Sequence, residues 1–201
     1  MSKIKLQPDW WRAHMGTAPE PGTTGDDGDR RYDAVSLRPA SPCLHDCRRP
    51  ALTLTDGRVL YGGQGGTLSV WSTPVDHLDL IIDCAGFYKR KPFVKGKMPS
   101  RRWAPLRPLD RGPEVLQLDW PDMTAPTHVG IRFWTQLLQL LPKHTAVCCM
   151  GGHGRTGTAL AALLIADGVS PVEAISRVRS QHCPKAIETA SQEAYLKGLK
   201  G

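Results

Sequence analysis

The 201-residue chain has no apolar run of the roughly 20 residues that a membrane-spanning helix requires. Its opening residues, Met1 to His14, lack the apolar core of a secretion signal, which points to the cytoplasm. In that compartment the six cysteines, at 43, 47, 84, 148, 149 and 183, are expected as thiols. No close cysteine spacing is repeated, which argues against a zinc ribbon. Cys43, His45 and Cys47 could approach one metal ion, but a fourth ligand is missing, so no metal site is assigned. No Gly-Lys-Ser or Gly-Lys-Thr follows the glycines at 151–154, which excludes the lysine-bearing nucleotide loop. Acidic residues are also in short supply. Nineteen face 26 Lys and Arg, giving a net charge of +7 and a pI near 9.3. The partner is therefore expected to be anionic: nucleic acid, phosphorylated protein, phosphoinositide or nucleotide.

The chain does have enough apolar residues, 40%, for one sizeable core. Residues 1–50, rich in Gly, Pro, Asp and Arg, read as an irregular N-terminal extension. Residues 51–201 read as one domain. Alternation around Asp56-Gly57 predicts a hairpin over 52–63. The apolar runs at 77–86, 114–120 and 144–150 predict strands. Ile131, Trp134, Leu137, Leu138 and Leu141 recur at helical spacing, predicting a helix over 128–141 that stops at Pro142. Residues 155–168 are apolar almost all round and predict a central helix. Ser170-Pro171-Val172-Glu173 opens another, to about 180, and Thr189-Ala190-Ser191-Gln192 could open the last. The order of elements implies an α/β domain with helices packed on a central, mostly parallel sheet.

The chemistry concentrates at 148–157, Cys-Cys-Met-Gly-Gly-His-Gly-Arg-Thr-Gly. It lies between a predicted strand and a predicted helix. Met150, Gly151, Gly152, His153 and Gly154 form a loop whose backbone amides, with the helix N-terminus, can cradle an oxyanion. Arg155 can hold two phosphate oxygens with its planar fork. The same positive field favours the thiolate of Cys149, a nucleophile suited to phosphoryl transfer.

Cysteine, five residues, arginine, threonine and glycine resembles the signature loop of the protein tyrosine phosphatase superfamily. The stretch 152–157 is similar to its dual-specificity and phosphoinositide branches. The resemblance implies Cys149 as nucleophile, Arg155 as phosphate binder, and Thr156 as the hydroxyl that steadies the departing cysteine. It implies no cofactor and no metal. Trp120-Pro121-Asp122 is similar to the family's mobile acid loop, which makes Asp122 the general acid, with Asp119 as a substitute. Residues 185–196 resemble the Ile-Glu-Thr…Gln segment of compact members. By that match Gln192 positions the hydrolytic water; alternatively it simply closes the helix cap. One departure stands out. The family usually carries a loop-ordering histidine directly before the nucleophile, and here that residue is Cys148. His153 could add a donor for an acidic substrate or sit at the rim.

Between Gly86 and Gly112 nine basic residues face one acidic residue, a net of +8, with Phe87, Tyr88, Phe93 and Trp103 interleaved. Such a segment can be a solvated loop, a rim that gathers anionic substrate, or a surface for single-stranded nucleic acid. Three functions follow. One is a cysteine-dependent phosphatase acting on phosphotyrosine in proteins, with phosphoserine and phosphothreonine as further substrates. Another is the same mechanism on phosphoinositide, nucleotide or the 5′ end of RNA. The last is a non-catalytic binder, against which intact Cys149, Arg155 and Asp122 argue. Cys84 ends a strand expected beside that of Cys149, which makes it the first choice of thiol to trap an oxidised Cys149.

Overall fold

A computed structural model describes residues 49–64, 77–85, 113–118 and 120–199, and the backbone of 104–106. The extension up to residue 48, the Cys43, His45 and Cys47 group, Asp119, and the basic segment 86–112 apart from 104–106 lie outside the described residues.

The hairpin forms around its turn pair. β1 (Leu52–Thr53) pairs antiparallel with β2 (Val59–Gln64). Gly57 takes φ +84° at the turn, a left-handed conformation open to a residue without Cβ. The other expected strands are β3 (Leu80–Asp83), β5 (Glu114–Gln117) and β6 (His144–Cys149). A short strand inside the basic segment, β4 (Ala104–Leu106), was not expected. It sits at the sheet edge beside β5, where Pro105 is tolerated because an edge residue need not donate to a second neighbour.

The sheet order is β1-β2-β6-β3-β5-β4. The inner pairs are parallel and both outermost pairs antiparallel. β6 lies between β2 and β3, with Gly63 and Asp83 both in register with Cys148. The carboxyl ends of three parallel strands therefore meet where Cys149 leaves the sheet. Open α/β sheets place ligands at that edge.

Helix α1 (Ile131–Leu140) begins three residues later than the periodicity suggested. The Val129 amide instead closes a turn onto the Pro126 carbonyl, and extended Gly130 caps the helix. At its other end Arg58 donates to the Leu138 and Leu141 carbonyls, a cation set against the negative helix end. α2 (Gly154–Ala166) is buried almost all round, as its sequence implied, and stops at Gly168 with φ +96°. α3 (Pro171–Arg177) starts at Ser170, whose hydroxyl accepts from the Glu173 amide at 3.3 Å. The Glu173 carboxylate pairs with Arg177. Beyond Arg177 the backbone widens into a π-helical turn, Val178–His182, which periodicity did not foresee. α4 (Ala190–Gly198) opens on the reciprocal capping box of Thr189 and Gln192.

Strand residues alternate between the two faces of the sheet. Leu80, Ile82, Cys84, Val147 and Cys149 join the larger core with residues from all four helices. Ile81, Ala146 and Cys148 face the other way, with Tyr61 and Val115. Tyr195 ties α4 to α1: its hydroxyl accepts from Trp134 Nε1 at 2.6 Å and donates to the Val129 carbonyl at 3.0 Å.

Candidate active site

The reactive loop is a strand, a four-residue turn and a helix. Cys149 is the last residue of β6 and only 3% exposed. Met150 points to solvent, Gly152 adopts φ +73°, and His153 precedes the first helical residue, Gly154. A Cβ at Gly154 would collide with the Glu188 carboxylate and come within 3.0 Å of Gln192 Nε2, so a larger residue there would require both side chains to move. Gly157 meets a firmer constraint one turn on, against backbone. A Cβ there would lie 2.8 Å from Ala186 Cβ and 2.9 Å from the Ile187 amide nitrogen.

Arg155 lies in the first turn of α2 and is 6% exposed. Its Nη1 donates to the Cys84 carbonyl at 3.2 Å and to the Trp120 carbonyl at 3.0 Å. Two backbone segments far apart in sequence thus orient the guanidinium. Nε lies 3.2 Å from Asp122 Oδ1, a charge contact whose angle falls short of a well-aligned hydrogen bond. The Asp122 side chain is 63% exposed. Water screens the pair, so it contributes little to stability. What it does is bring the Asp122 carboxylate and the Arg155 guanidinium to one point.

The acid loop is anchored from below. Trp120 is buried and donates Nε1–H to the Thr124 carbonyl at 3.1 Å, and the Thr124 hydroxyl donates to the Pro121 carbonyl at 2.8 Å. Met123 takes φ +59° and donates its amide to Asp122 Oδ1 at 3.1 Å. The Thr124 carbonyl also accepts from Gln192 Nε2 at 3.1 Å. Gln192 is fully buried. Its Oε1 accepts from the Thr189 amide at 3.3 Å and its own amide donates to Thr189 Oγ1 at 3.2 Å. One side chain therefore caps α4, touches the acid loop and packs beside Gly154.

Thr156 is fully buried, and its hydroxyl lies 3.4 Å from the Gly63 carbonyl, linking α2 to β2. His153 is partly buried, with Nδ1 3.6 Å from the Glu188 carboxylate. Cys84 donates its amide to the Cys148 carbonyl at 2.8 Å, one position beyond the pairing of Asp83 with Cys148. It thus falls beside Cys149 on the same face of the sheet, as the strand reading anticipated.

Sequence reasoning missed four participants: His182, Glu188, the Thr124 carbonyl, and the Gly62-Gly63 pair in β2. Only the glycines carried a signal, because glycine inside a strand often marks a close approach by another group. His182 is that group. Its ring occupies the place a Gly62 side chain would fill, and its Nε2 lies 2.7 Å from the Gly152 carbonyl. Burial pushes the His182 imidazole below its ordinary range; the bond to Gly152 opposes that shift and nearby His153 reinforces it. Among the described residues no group of acidic, histidine and cysteine side chains is placed to hold a metal ion.

A mostly parallel sheet flanked by helices thus carries a Cys-x5-Arg loop between a central strand and its central helix. The fold is that of the protein tyrosine phosphatases. It is similar to the crystal structure of a mutant form of Tk-PTP, with a TM-score of 0.50 and 26% identity, over 73% of this chain and 92% of that one. The active form of Tk-PTP is 28% identical at a TM-score of 0.47, over 72% and 92% of the two chains. PTPMT1 in complex with PI(5)P is 19% identical at a TM-score of 0.47, over 70% and 88%. No family model matches the sequence. Two uncharacterised proteins of Methanocaldococcus jannaschii, MJ0215 and MJECL20, are each 44% identical over 55 residues, 27% of this chain. That match spans about a third of each relative's length, 33% and 35%. No helix among the described residues is long and apolar enough to cross a membrane.

Proposed function

We propose that the protein is a cysteine-dependent phosphatase that hydrolyses phosphate monoesters, protein phosphotyrosine first among them, through a phosphocysteine intermediate. The observation that carries this reading is the 3.2 Å approach of Asp122 to Arg155, six residues after Cys149. It gathers the nucleophile's loop, a phosphate-binding cation and an acid at the carboxyl end of the sheet. An incoming phosphate takes the Arg155 fork and the amides of 150–154 and displaces the Asp122 carboxylate from the arginine toward the ester oxygen, where the carboxylate takes up a proton from solvent. Cys149 Sγ attacks phosphorus while the P–O ester bond breaks, and protonated Asp122 gives its proton to the leaving oxygen. Asp122, now ionised, takes a proton from water. The water oxygen attacks phosphorus, the P–S bond breaks, and the thiolate and inorganic phosphate are released. In this reading Gln192, which bonds the Thr124 carbonyl and lies beside Gly154, orients that water, and Thr156 steadies the thiolate. The protein serves this reaction by fixed donors and fixed geometry.

A second reading, the same chemistry on a non-protein phosphate, draws on the +8 charge of residues 86–112. Turnover of an aryl phosphate that is insensitive to chelator and inhibited by vanadate supports the shared mechanism; absence of any turnover refutes it. A panel of phosphotyrosyl peptide, phosphoseryl peptide, inositol phosphates and 5′-triphosphate RNA separates the substrates.

A further inference from the structure

The residue before the nucleophile cannot order the loop as a histidine there would. Cys148 faces the opposite side of the sheet, in the smaller apolar cluster with Tyr61 and Ile81. An imidazole reaches the loop from elsewhere. His182 closes the π-helical turn Val178–His182, where the Cys183 amide reaches back five residues to the Val178 carbonyl at 3.1 Å. A π-turn is a costly, uncommon way to continue a helix and recurs at functional positions. Here it delivers His182 against β2, which makes room with a glycine at position 62. Nε2 then sits 2.7 Å from the Gly152 carbonyl. A carbonyl only accepts, so Nε2 carries the proton.

The direction of that bond matters. A peptide unit is planar and trans, so its C=O and N–H point opposite ways. Holding the Gly152 carbonyl toward His182 turns the His153 amide to the other side of the loop. Gly152 itself sits at φ +73° between another glycine and His153, and glycine alone tolerates both this conformation and its alternatives. Without an external hold the peptide can turn over and present a carbonyl oxygen to the phosphate.

We propose that His182 is a positioning residue for the phosphate loop: by accepting the role left vacant at position 148, it fixes the Gly152–His153 peptide so that the His153 amide donates to the bound oxyanion. This rests on the phosphatase reading above. His182 touches neither substrate nor reacting atoms; it acts through the Gly152 carbonyl.

The test compares wild type with His182→Gln, whose side-chain amide can place an N–H where the imidazole had one, and with His182→Phe, which keeps the ring and removes the donor. Vanadate affinity, KM and kcat for an aryl phosphate, and Tm are measured for each. His182→Phe is expected to weaken vanadate binding and raise KM by about tenfold, the scale of one lost hydrogen bond, with a smaller change in kcat. His182→Gln restores most of that affinity. Equal vanadate affinity in all three proteins overturns the proposal, as does a loss that follows Tm and is the same for Gln and Phe. Should His182→Phe not fold, His182→Asn, too short to reach Gly152, replaces it with the same expectation. Wild type that neither turns over substrate nor binds vanadate would refute the phosphatase reading; an active wild type with unchanged variants refutes only the role of His182.

Discussion

The phosphate loop and the acid loop meet at Arg155 but are built on opposite terms. The phosphate loop is enclosed: Cys149 is 3% exposed and Arg155 6%. Glu188, Gln192 and His182 pack against or bond to its glycines. The acid loop is pinned at its base by the buried Trp120 ring and the Thr124 carbonyl. Its carboxylate stands 63% exposed. The difference fits the work that the proposed reaction gives each. An oxyanion cradle is effective when its donors are fixed before the charge develops. An acid that first donates and then accepts a proton must pass from the leaving group to water, and an exposed carboxylate on a short anchored loop can do so.

Removing the enclosed partner should have the largest effect. Cys149→Ser is expected to abolish turnover of an aryl phosphate while vanadate binding remains measurable; near wild-type turnover would remove Cys149 from the mechanism. Oxidation attacks the same atom reversibly. Peroxide is expected to convert the Cys149 thiol to a sulfenic acid with release of water, and the neighbouring Cys84 thiol then to condense with it to a disulfide and a second water. Activity should be lost and return with thiol reductant, and peptide mapping should find the 84–149 bridge. Irreversible loss with only sulfinic or sulfonic Cys149 counts against it.

Changing the exposed partner should cost less and depend on the substrate. Asp122→Ala is expected to slow esters with poor leaving groups by about a hundredfold and activated aryl esters less. Equal losses on both would move the acid role elsewhere, with Asp119 the next to test.

Two further experiments concern the enclosure alone. Gly157→Ala puts a methyl 2.8 Å from Ala186 Cβ. Overpacking of this kind costs about 1–3 kcal/mol, read as a lower midpoint in urea, and vanadate binding should weaken with it. An unchanged midpoint would show that the 186–187 segment yields easily. The smallest effect is on pH dependence. His182 is held below its ordinary value, so the unfolded chain binds its proton first as pH falls. Its contribution to stability is complete above about pH 6.5 and is lost as pH falls from there through the folded value. His128, also lowered by burial, adds a similar slope. The Tm of His182→Gln should therefore fall less steeply than that of wild type between neutral pH and pH 5; parallel curves would show that His182 does not titrate this way.

How much could be read without coordinates depended on the range of each interaction. Hydrophobic period placed β3, β5, β6 and α2, because a strand or helix advertises its buried side through neighbours two to four residues away. Capping chemistry placed the starts of α3 and α4, since Ser170 and Thr189 act on amides three residues on. The strand, turn and helix start that hold Cys149, Met150–Gly154 and Arg155 were legible for the same reason: they are contiguous, so one short window contains them. The π-helical turn, β4, and the late start of α1 at Ile131 were not legible, being set by packing and backbone pairing across the fold. Nor could any local pattern show that His182 would bond Gly152 thirty residues back, or that Arg155 would reach Trp120 thirty-five residues back. The sequence by itself determined the order of elements and the loop that bears the thiol. Only tertiary structure decided which distant carbonyls, acid and imidazole surround that loop, because those contacts exist once the sheet has brought the carboxyl ends of β2, β6 and β3 side by side.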